Sequence, residues 1–202
     1  MVLDSYRSKS DRILVPLSRP FLRVNPDKIS LLSLICAIVA GVLFYLGGLL
    51  IIGSLIFIVL SAMFDAIDGK VARLAGKESM RGDLVDHVLD RYSDVALIAG
   101  FMFSIHSQLV VGVFALIGVM LTSYMGTQSQ ALGLKRDYSG ILGRADRLMV
   151  MVVFVVIQIL FPFHFSLWVL LLTPTNIMLL WFAFAGNITA ASRFRRAFLA
   201  LS

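Results

Sequence analysis

Four aspartates between residues 65 and 90 give the first indication of chemistry in this chain. Asp65 and Asp68 are three residues apart, and Asp86 and Asp90 are four residues apart. On an α-helix both spacings place side chains on one face, so each pair faces in one direction. The basic loop and small residues between them allow the chain to turn back, which lets the pairs meet. Converging carboxylates in an apolar setting repel each other unless cations lie between them, and Mg²⁺ or Mn²⁺ suits oxygen ligands.

The residues around these aspartates complete a longer pattern, which reads D-x2-D-G-x2-A-R-x8-G-x3-D-x3-D. This pattern resembles the signature of the CDP-alcohol phosphotransferase family and matches that signature at every fixed position. The resemblance covers nearly the whole chain. Acidic helix ends at a membrane surface would explain single carboxylates, but not four at this spacing together with the glycines.

The resemblance implies an enzyme that transfers a phosphatidyl-type group from a CDP-linked lipid to a small alcohol and releases CMP. It also implies two divalent ions, Mg²⁺ or Mn²⁺, held by Asp65, Asp68 and Asp86 with Asp90 nearby. Two such ions can polarise the diphosphate bond and neutralise the leaving nucleotide. In this family the fourth aspartate is proposed as the general base, and the match carries that catalytic role to Asp90.

Four further positions of the pattern, together with Asp65 and Asp68, are expected to bind the CDP-lipid. Small residues at Gly69, Ala72 and Gly82 let a nucleotide come close to the backbone. Arg73 can bind a phosphate through two nitrogens. Each position also has a structural interpretation, since close helix packing favours Gly and Ala in membranes and an arginine at the end of a span can snorkel.

A second basic group lies in the segment from residue 130 to residue 147 and is expected to bind the acceptor. Its members are Lys135, Arg136, Arg144 and Arg147. Residues 143–147 and residues 18–26 resemble family members that use inositol phosphate, the archaetidylinositol phosphate and phosphatidylinositol phosphate synthases. An anionic acceptor needs cations that a neutral alcohol does not. A positively charged cytoplasmic loop explains some of these residues without any acceptor.

The resemblance leaves the substrates open in two respects. The donor is expected to be CDP-archaeol or CDP-diacylglycerol, because hydrocarbon tails are bound by loose apolar grooves that no motif specifies. The acceptor is expected to be inositol 1-phosphate, with glycerol 3-phosphate as the alternative within the family.

Two other classes of protein compete with the enzyme. A divalent-cation transporter would also place carboxylates in membrane spans, but it would need a polar path to the opposite side. A non-catalytic membrane scaffold would need no group of four carboxylates. Metal-dependent release of CMP distinguishes the enzyme from both.

Composition indicates an integral membrane protein with a single domain over residues 1–202. The chain is 59% hydrophobic, whereas soluble domains are about half apolar. Its net charge of +6 arises from 18 Lys and Arg against 12 Asp and Glu. These charges lie between apolar segments, which favours a cytoplasmic-face bias over nucleic-acid binding. The single cysteine, Cys36, excludes an intrachain disulfide, and the polar first dozen residues predict no cleavable signal peptide.

The fold expected is an all-α membrane protein with an amphipathic juxtamembrane segment over residues 1–28 and a six-helix core over residues 29–202. Apolar runs predict six transmembrane helices. They cover about residues 31–46, 49–74, 83–105, 109–129, 148–160 and 176–194. Residues 104–108 are predicted as a polar turn and residues 162–174 as an irregular return.

Charge distribution predicts the orientation in the cell membrane. The lysines and arginines fall at both termini, in the aspartate region and between the fourth and fifth spans, whereas the opposite turns carry none. The positive-inside rule therefore places the active site and both termini on the cytoplasmic side. The family resemblance also implies a homodimer.

Other polar residues near the pattern are assigned structural roles. Asp83 is expected to stabilise the start of its helix, and Asp94 follows Asp90 by one turn with Arg91 as a possible partner. His87 is expected to point away from Asp86, because adjacent residues on a helix face different directions. Three arginines near the C-terminus either add to the acceptor pocket or anchor the last helix. They are Arg193, Arg195 and Arg196.

Overall fold

The structure, a computed structural model, describes residues 14–135, 137 and 139–201. It contains six long helices, as the apolar pattern predicts. They are α1 (Pro26–Leu46), α2 (Leu50–Leu74), α3 (Met80–Met102), α4 (Leu109–Ala131), α5 (Arg144–Leu160) and α6 (Pro174–Leu201). Two short antiparallel strands, β1 (Phe165–Leu167) and β2 (Leu170–Leu172), lie between α5 and α6. The fold is therefore mostly helical, in agreement with the expected all-α membrane protein, and it carries one short β-hairpin in addition.

Among the described residues, four helices are long and apolar enough to cross a membrane: α1, α2, α4 and α6. α3 carries six charged residues between positions 81 and 94, and α5 has only 17 residues with a charged first turn. The protein is a multi-pass membrane protein, and six crossings stay a prediction. α3 and α5, which are not both long and apolar enough to cross a membrane by these measures, carry most of the charged side chains of the site.

Local capping explains why α1 begins earlier than predicted. The Asn25 side chain accepts a hydrogen bond from the Asp27 N–H at 3.0 Å, and Pro26 occupies the first helical position, which needs no N–H donor. Ser30 lies inside α1 and donates to the carbonyl of Pro26 at 3.2 Å. The first turn of α1 thereby reaches the end of the molecule that carries the aspartates.

Two helices that carry site residues also begin earlier than predicted. Ser79 caps α3 by accepting from the Gly82 N–H at 3.0 Å. α3 therefore begins at Met80, three residues before the predicted start at position 83. At α5 the carboxylate of Asp146 accepts from the Gly143 N–H at 3.0 Å and closes the first turn. α5 therefore begins at Arg144 rather than at Leu148, and it holds both of its arginines in regular helix.

The helices divide into two closely packed groups. α1 packs on α2 and α3, and α4 packs on α6, while α5 lies against α2 and α6. Glycines bring backbones together inside each group: Gly41 of α1 faces Gly100 of α3, and Gly118 of α4 faces Gly186 of α6. A buried apolar core joins the groups, so both are held against each other below the aspartates.

The opposite end of the molecule is closed by a polar network around the hairpin. The Gln108 side-chain amide donates to the Val169 carbonyl at 2.6 Å and accepts from the Leu171 N–H at 3.1 Å. Asn176 in the first turn of α6 donates to the Leu171 carbonyl at 2.6 Å. Part of the segment 162–174, predicted to be irregular, thus forms a hairpin at residues 165–172, and Gln108 just before α4 and Asn176 of α6 hydrogen-bond to it.

The predicted juxtamembrane segment is described only from residue 14 onward, and residues 1–13 lie outside the described part of the chain. Residues 14–18 are helical and lead into a short 3₁₀ helix, Arg19–Phe21. The ring of Phe21 packs edge-on against Phe64 of α2 at 6.2 Å between centroids. This contact holds the segment beside the aspartate-bearing end of α2.

The Gly41–Gly100 contact predicts a specific sensitivity. A Cβ at position 100 would overlap the backbone of Gly41, so Gly100→Ala should lower the free energy of unfolding by about 1–3 kcal/mol and lower the Tm. Gly53→Ala is the matched control, because a Cβ there meets only the flexible end of Leu43 at 3.1 Å. Thermal unfolding in detergent measures both variants, and equal Tm values would contradict the packing role.

Candidate active site

The four aspartates meet at one end of the helix bundle. Asp65 and Asp68 lie in the penultimate turns of α2, and Asp86 and Asp90 lie in the first half of α3. Oxygen atoms of Asp65, Asp68 and Asp86 all lie within 4.8 Å of one another. The short connection between α2 and α3 turns the chain back, and α1, which packs on both helices, holds them so that the second pair faces the first.

The carboxylates are largely removed from water. Asp68 is 4% exposed and Asp90 is 7% exposed. One oxygen of Asp68 accepts from the Gly69 N–H at 2.5 Å, but Oδ2 is buried without a hydrogen-bond partner. A buried carboxylate oxygen without a donor is costly unless it binds a cation. The donor set and the unpartnered oxygen therefore fit a divalent cation.

His87 lies closer to the carboxylates than the helix pattern predicts. Its Nδ1 is 3.8 Å from Asp86 Oδ2, and its Nε2 is 3.3 Å from Asp83 Oδ1. Asp86, His87 and Asp90 also form a group whose possible ligand atoms all lie within 4.8 Å of one another. The expectation that His87 points away from Asp86 is thus wrong, because the imidazole lies over the preceding turn of α3, between Asp83 and Asp86. The signal in the sequence was the spacing of Asp83, four residues before His87, and Asp90, three residues after it, which places them on one helix face.

A cavity of about 630 Å³ opens on one side of the aspartates. It is lined by all four of the predicted small and basic positions, together with two of the aspartates. These residues are Asp68, Gly69, Ala72, Arg73, Gly82 and Asp86. Further cations come from the N-terminal segment (Arg23), the connection between α2 and α3 (Lys77) and the first turn of α3 (Arg81), and the same lining contains the carboxylates of Asp27, Glu78 and Asp83. The cavity therefore combines charged side chains of both signs with small residues beside the aspartates.

The two glycines of this cavity have different surroundings. A Cβ at Gly69 would meet nothing nearer than Arg73 Nη2 at 3.9 Å, so the space above Gly69 belongs to the cavity. Helix packing therefore does not account for Gly69. A Cβ at Gly82 would approach the Ser79 hydroxyl at 3.2 Å, which gives Gly82 a local role at the cap of α3.

A smaller cavity of about 210 Å³ lies on the other side of Asp90. Arg144 and Arg147 line it, together with His87 and Arg193. Lys135 is exposed and is not among the lining residues, and Arg136 lies outside the described part of the chain. Of the four basic residues predicted for the acceptor, the structure thus brings two to this cavity.

Arg144 reaches from α5 to the aspartates of both other helices. Its Nη1 lies 2.5 Å from Asp65 Oδ1 and also contacts Asp90 Oδ1. The guanidinium offsets part of the repulsion among the carboxylates. Arg144 is therefore the point at which the second cavity meets the aspartate cluster.

Arg147 is engaged deeper in the protein. Its Nη2 donates to Asp94 Oδ2 at 2.7 Å, and the two residues are 2% and 1% exposed. Asp94 was expected to pair with Arg91, whose Nε lies farther away at 3.7 Å. Arg147 is the closer partner because α5 places it directly opposite Asp94 across the gap between the helices.

Arg193 is the cavity residue whose role the sequence left open. Its Nη1 donates to the Thr122 carbonyl at 2.6 Å and its Nε donates to the Ser139 carbonyl at 2.9 Å. It thereby ties the loop before α5 to α4 and α6. Arg196 donates to Asp137 of the same loop at 2.9 Å, whereas Arg195 is exposed. Partial burial raises the pKa of Asp137, but hydrogen bonds from Ser139 and Arg196 outweigh this effect and hold it below its usual value.

Comparison with known proteins agrees with this site. The profile of the CDP-alcohol phosphatidyltransferase family matches residues 23–189. The phosphatidylinositol phosphate synthase of Cutibacterium acnes is 30% identical over 201 residues, which cover 95% of each chain. The archaetidylinositol phosphate synthase of Pyrococcus horikoshii is 28% identical over 129 residues, which cover 64% of this chain and 68% of that protein.

A solved structure shares the fold as well. The phosphatidylinositol phosphate synthase of Mycobacterium tuberculosis with CDP-DAG bound superposes with a TM-score of 0.76 at 25% identity, covering 93% of this chain and 94% of that chain. The same enzyme in complex with manganese and citrate gives a TM-score of 0.77 at 24% identity, covering 92% of this chain and 88% of that chain. The family match spans most of the chain and includes all four aspartates. The chain therefore belongs to the CDP-alcohol phosphatidyltransferase family.

Proposed function

We propose that this enzyme transfers a phosphatidyl-type group from CDP-diacylglycerol or CDP-archaeol to inositol 1-phosphate and releases CMP. The observation that carries the proposal is the position of the aspartates between two cavities of different size and lining. The larger cavity suits a nucleotide diphosphate, and the smaller one, lined by arginines, suits a small anion. A transfer reaction needs its two substrates on opposite sides of the reacting phosphorus, which this arrangement provides.

On the donor side, the open space above Gly69 admits a nucleotide to the backbone of α2. Gly69, Ala72 and Gly82 form the surface on which it rests, and Arg73 binds a phosphate oxygen through its guanidinium. The lipid tails extend into the bilayer along the exposed apolar faces of the spans. Loose apolar contact of this kind accepts both diacylglycerol and archaeol chains, so the tail chemistry is left open.

For the metal, we propose two divalent cations, Mg²⁺ or Mn²⁺, held by Asp65, Asp68, Asp86 and Asp90. Support comes from the two groups of possible ligand atoms, which share Asp86, and from the unpartnered oxygen of Asp68. When bound, these cations would neutralise the negative charge of the diphosphate and of the leaving CMP. Asp90 takes the proton of the acceptor hydroxyl, because it faces both the metal cluster and the second cavity.

On the acceptor side, Arg144 is placed to bind the phosphate of inositol 1-phosphate, and Arg147 forms the deeper wall of the same cavity. Lys135 and Arg136 belong to the preceding loop and are proposed to attract the anion at the entrance. Glycerol 3-phosphate is also a small phosphate monoester, so it is the alternative acceptor that must be tested beside inositol 1-phosphate. A homodimer in the cell membrane completes the proposal, and it rests on family resemblance.

A divalent-cation transporter is disfavoured by the interior of the molecule. Beyond the aspartates the described core is apolar, with Ile58, Leu97 and Phe101 each fully buried. At the far end, the Phe44 and Phe101 rings pack edge-on with 4.6 Å between centroids. No chain of acidic side chains follows the aspartates through this part of the described structure, so a cation would cross apolar packing.

The metal assignment predicts a loss of both binding and activity. Asp68→Asn should weaken Mn²⁺ binding by about tenfold or more, because even residues behind the ligands cost that much when lost. Binding is measured by electron paramagnetic resonance of Mn²⁺, with Asp137→Asn as a control carboxylate outside the cluster. Asp68→Asn and Asp86→Asn should each abolish most CMP release while the Tm stays measurable. Full turnover in excess chelator would refute metal dependence.

The acceptor assignment predicts a selective effect on one KM. A charge-assisted contact contributes about 1.5–3 kcal/mol. Arg144→Ala should therefore raise the KM for inositol 1-phosphate about tenfold or more, while the KM for the CDP-lipid hardly changes. Arg144→Lys should be impaired less, because it keeps the charge but loses the planar fork. The exposed Arg195→Ala is the matched control and should match wild type.

Steady-state kinetics with inositol 1-phosphate, glycerol 3-phosphate and unphosphorylated inositol identify which acceptor the enzyme prefers. Wild type should prefer inositol 1-phosphate. A preference for neutral inositol, or an unchanged acceptor KM in Arg144→Ala, would rule out the inositol-phosphate assignment and leave the family reaction intact.

The proposed orientation places the loop before α5 in the cytoplasm and the hairpin outside. In a Cys36→Ser background, Ser139→Cys should react with a membrane-impermeant maleimide only after the cells are opened. Ser166→Cys in exposed β1 should react in intact cells. Labelling of Ser139→Cys from outside would reverse the proposed topology.

A further inference from the structure

The candidate active site lies across a gap between helices. Asp86 and Asp90 belong to α3, whereas Arg144 and Arg147 belong to the first turn of α5. α5 packs on α2 and α6, but the backbones of α3 and α5 form no extended contact within the described residues. The distance between Asp90 and Arg144 therefore depends on side chains that bridge the gap.

Asp94 and Arg147 form a bridge one helical turn deeper than Asp90 and Arg144. Arg147 Nη2 donates to Asp94 Oδ2 at 2.7 Å. Asp94 follows Asp90 by four residues, and Arg147 follows Arg144 by three, so both bridges lie on the same helix faces. Two contacts at different depths fix the rotation of α5 as well as its distance from α3, which a single contact cannot do.

Burial makes the deeper bridge hard to replace. Asp94 and Arg147 are 1% and 2% exposed, so water cannot stand in for either charge. The Nε of Arg147 has no hydrogen-bond partner, and its Nη1 makes a long contact to the Leu142 carbonyl at 3.5 Å. Arg147 therefore depends on Asp94 for its position. Leu142 also lies in the loop that leads into α5, so the same guanidinium holds the entry to the helix.

Asp94 also influences a second arginine beside the reacting carboxylate. Arg91 Nε lies 3.7 Å from Asp94 Oδ2, and Arg91 Nη2 lies 3.7 Å from Asp90 Oδ2. The guanidinium of Arg91 is thus shared between the two aspartates. Without the charge of Asp94, Arg91 is drawn to Asp90, where it competes with Arg144.

We propose that Asp94 is a positioning residue for the acceptor side of this active site. It holds Arg147 and shares Arg91, and in this way it keeps the first turn of α5 in the register that brings Arg144 to Asp65 and Asp90. The inference rests on the proposed function, since the acceptor cavity is where its effect is measured. It concerns neither a ligand of the metal nor a group that touches the substrates.

The test variant removes the charge of the Asp94 side chain and keeps its shape. Asp94→Asn should raise the KM for inositol 1-phosphate about tenfold or more, while the KM for the CDP-lipid changes less than about twofold. The donor cavity is built from α1, α2 and α3, so it does not depend on the register of α5. Mn²⁺ binding by electron paramagnetic resonance should stay close to wild type, which separates lost positioning from a damaged metal site.

A double-mutant cycle makes the test independent of folding defects. Arg147→Gln should also raise the acceptor KM, and the increase in D94N/R147Q should be smaller than the product of the two single increases, because each single substitution already breaks the Asp94–Arg147 bridge. If a single variant fails to fold around its unpaired charge, the double variant removes both charges and still folds. The raised acceptor KM must then be seen in the double variant.

Gln158→Leu is the matched control for a purely structural effect. Gln158 is buried at the other end of α5 and accepts from the Thr175 hydroxyl at 2.9 Å. Its loss should lower the Tm without changing the acceptor KM. The proposal is overturned if D94N/R147Q keeps the acceptor KM within about twofold of wild type, or if Gln158→Leu raises it equally.

Failure of the proposed function is distinguishable from failure of this inference. If wild type uses glycerol 3-phosphate instead of inositol 1-phosphate, the acceptor assignment fails and the same KM comparison is made with glycerol 3-phosphate. If wild type releases CMP with neither acceptor, calorimetric binding of inorganic phosphate to the Mn²⁺-loaded protein replaces the KM. An approximately tenfold weaker affinity in Asp94→Asn then supports the positioning role, and an unchanged affinity overturns it.

Discussion

Repulsion among four carboxylates in a poorly hydrated space is the interaction on which the rest of this structure depends. Asp65, Asp68 and Asp86 bring oxygen atoms within 4.8 Å of one another, and two of the four aspartates are almost fully buried. Such a cluster is stable only where positive charge is available. The protein supplies part of this charge from α5 through Arg144, and the donor set suits divalent cations for the remainder.

The need to balance this charge explains how the two halves of the bundle meet. Close packing between glycines makes α1–α3 one rigid unit and α4 with α6 another, so each carries its side chains on a firm support. α5 brings cations to the unit that carries the acids. The two arginine bridges, Arg144 with Asp65 and Asp90 and Arg147 with Asp94, connect α5 to the acidic helices beside the smaller cavity. The attraction between these charges therefore also helps to set the geometry of the site.

Small residues serve two different purposes in these helices. Gly41 and Gly100 let helix backbones touch, whereas Gly69 leaves space beside the aspartates that no protein atom fills. Gly41 lies between Ala40 and Val42, whereas Gly69 lies between Asp68 and Lys70. The position of the opposing helix shows that Gly41 is a packing glycine and that Gly69 borders the larger cavity.

The sequence by itself determined the features that depend on residues close together in the chain. Spacings of three and four placed each aspartate pair on one helix face, and the apolar runs located all six helices, because both signals arise within a single helix. Tertiary structure alone decided that Asp94 has Arg147 as a closer partner than Arg91, that Arg144 reaches Asp65 and Asp90, and that Gln108 hydrogen-bonds the hairpin at residues 165–172. Each of these depends on which distant segment lies opposite, and a local pattern carries no information about contacts between residues far apart in the chain.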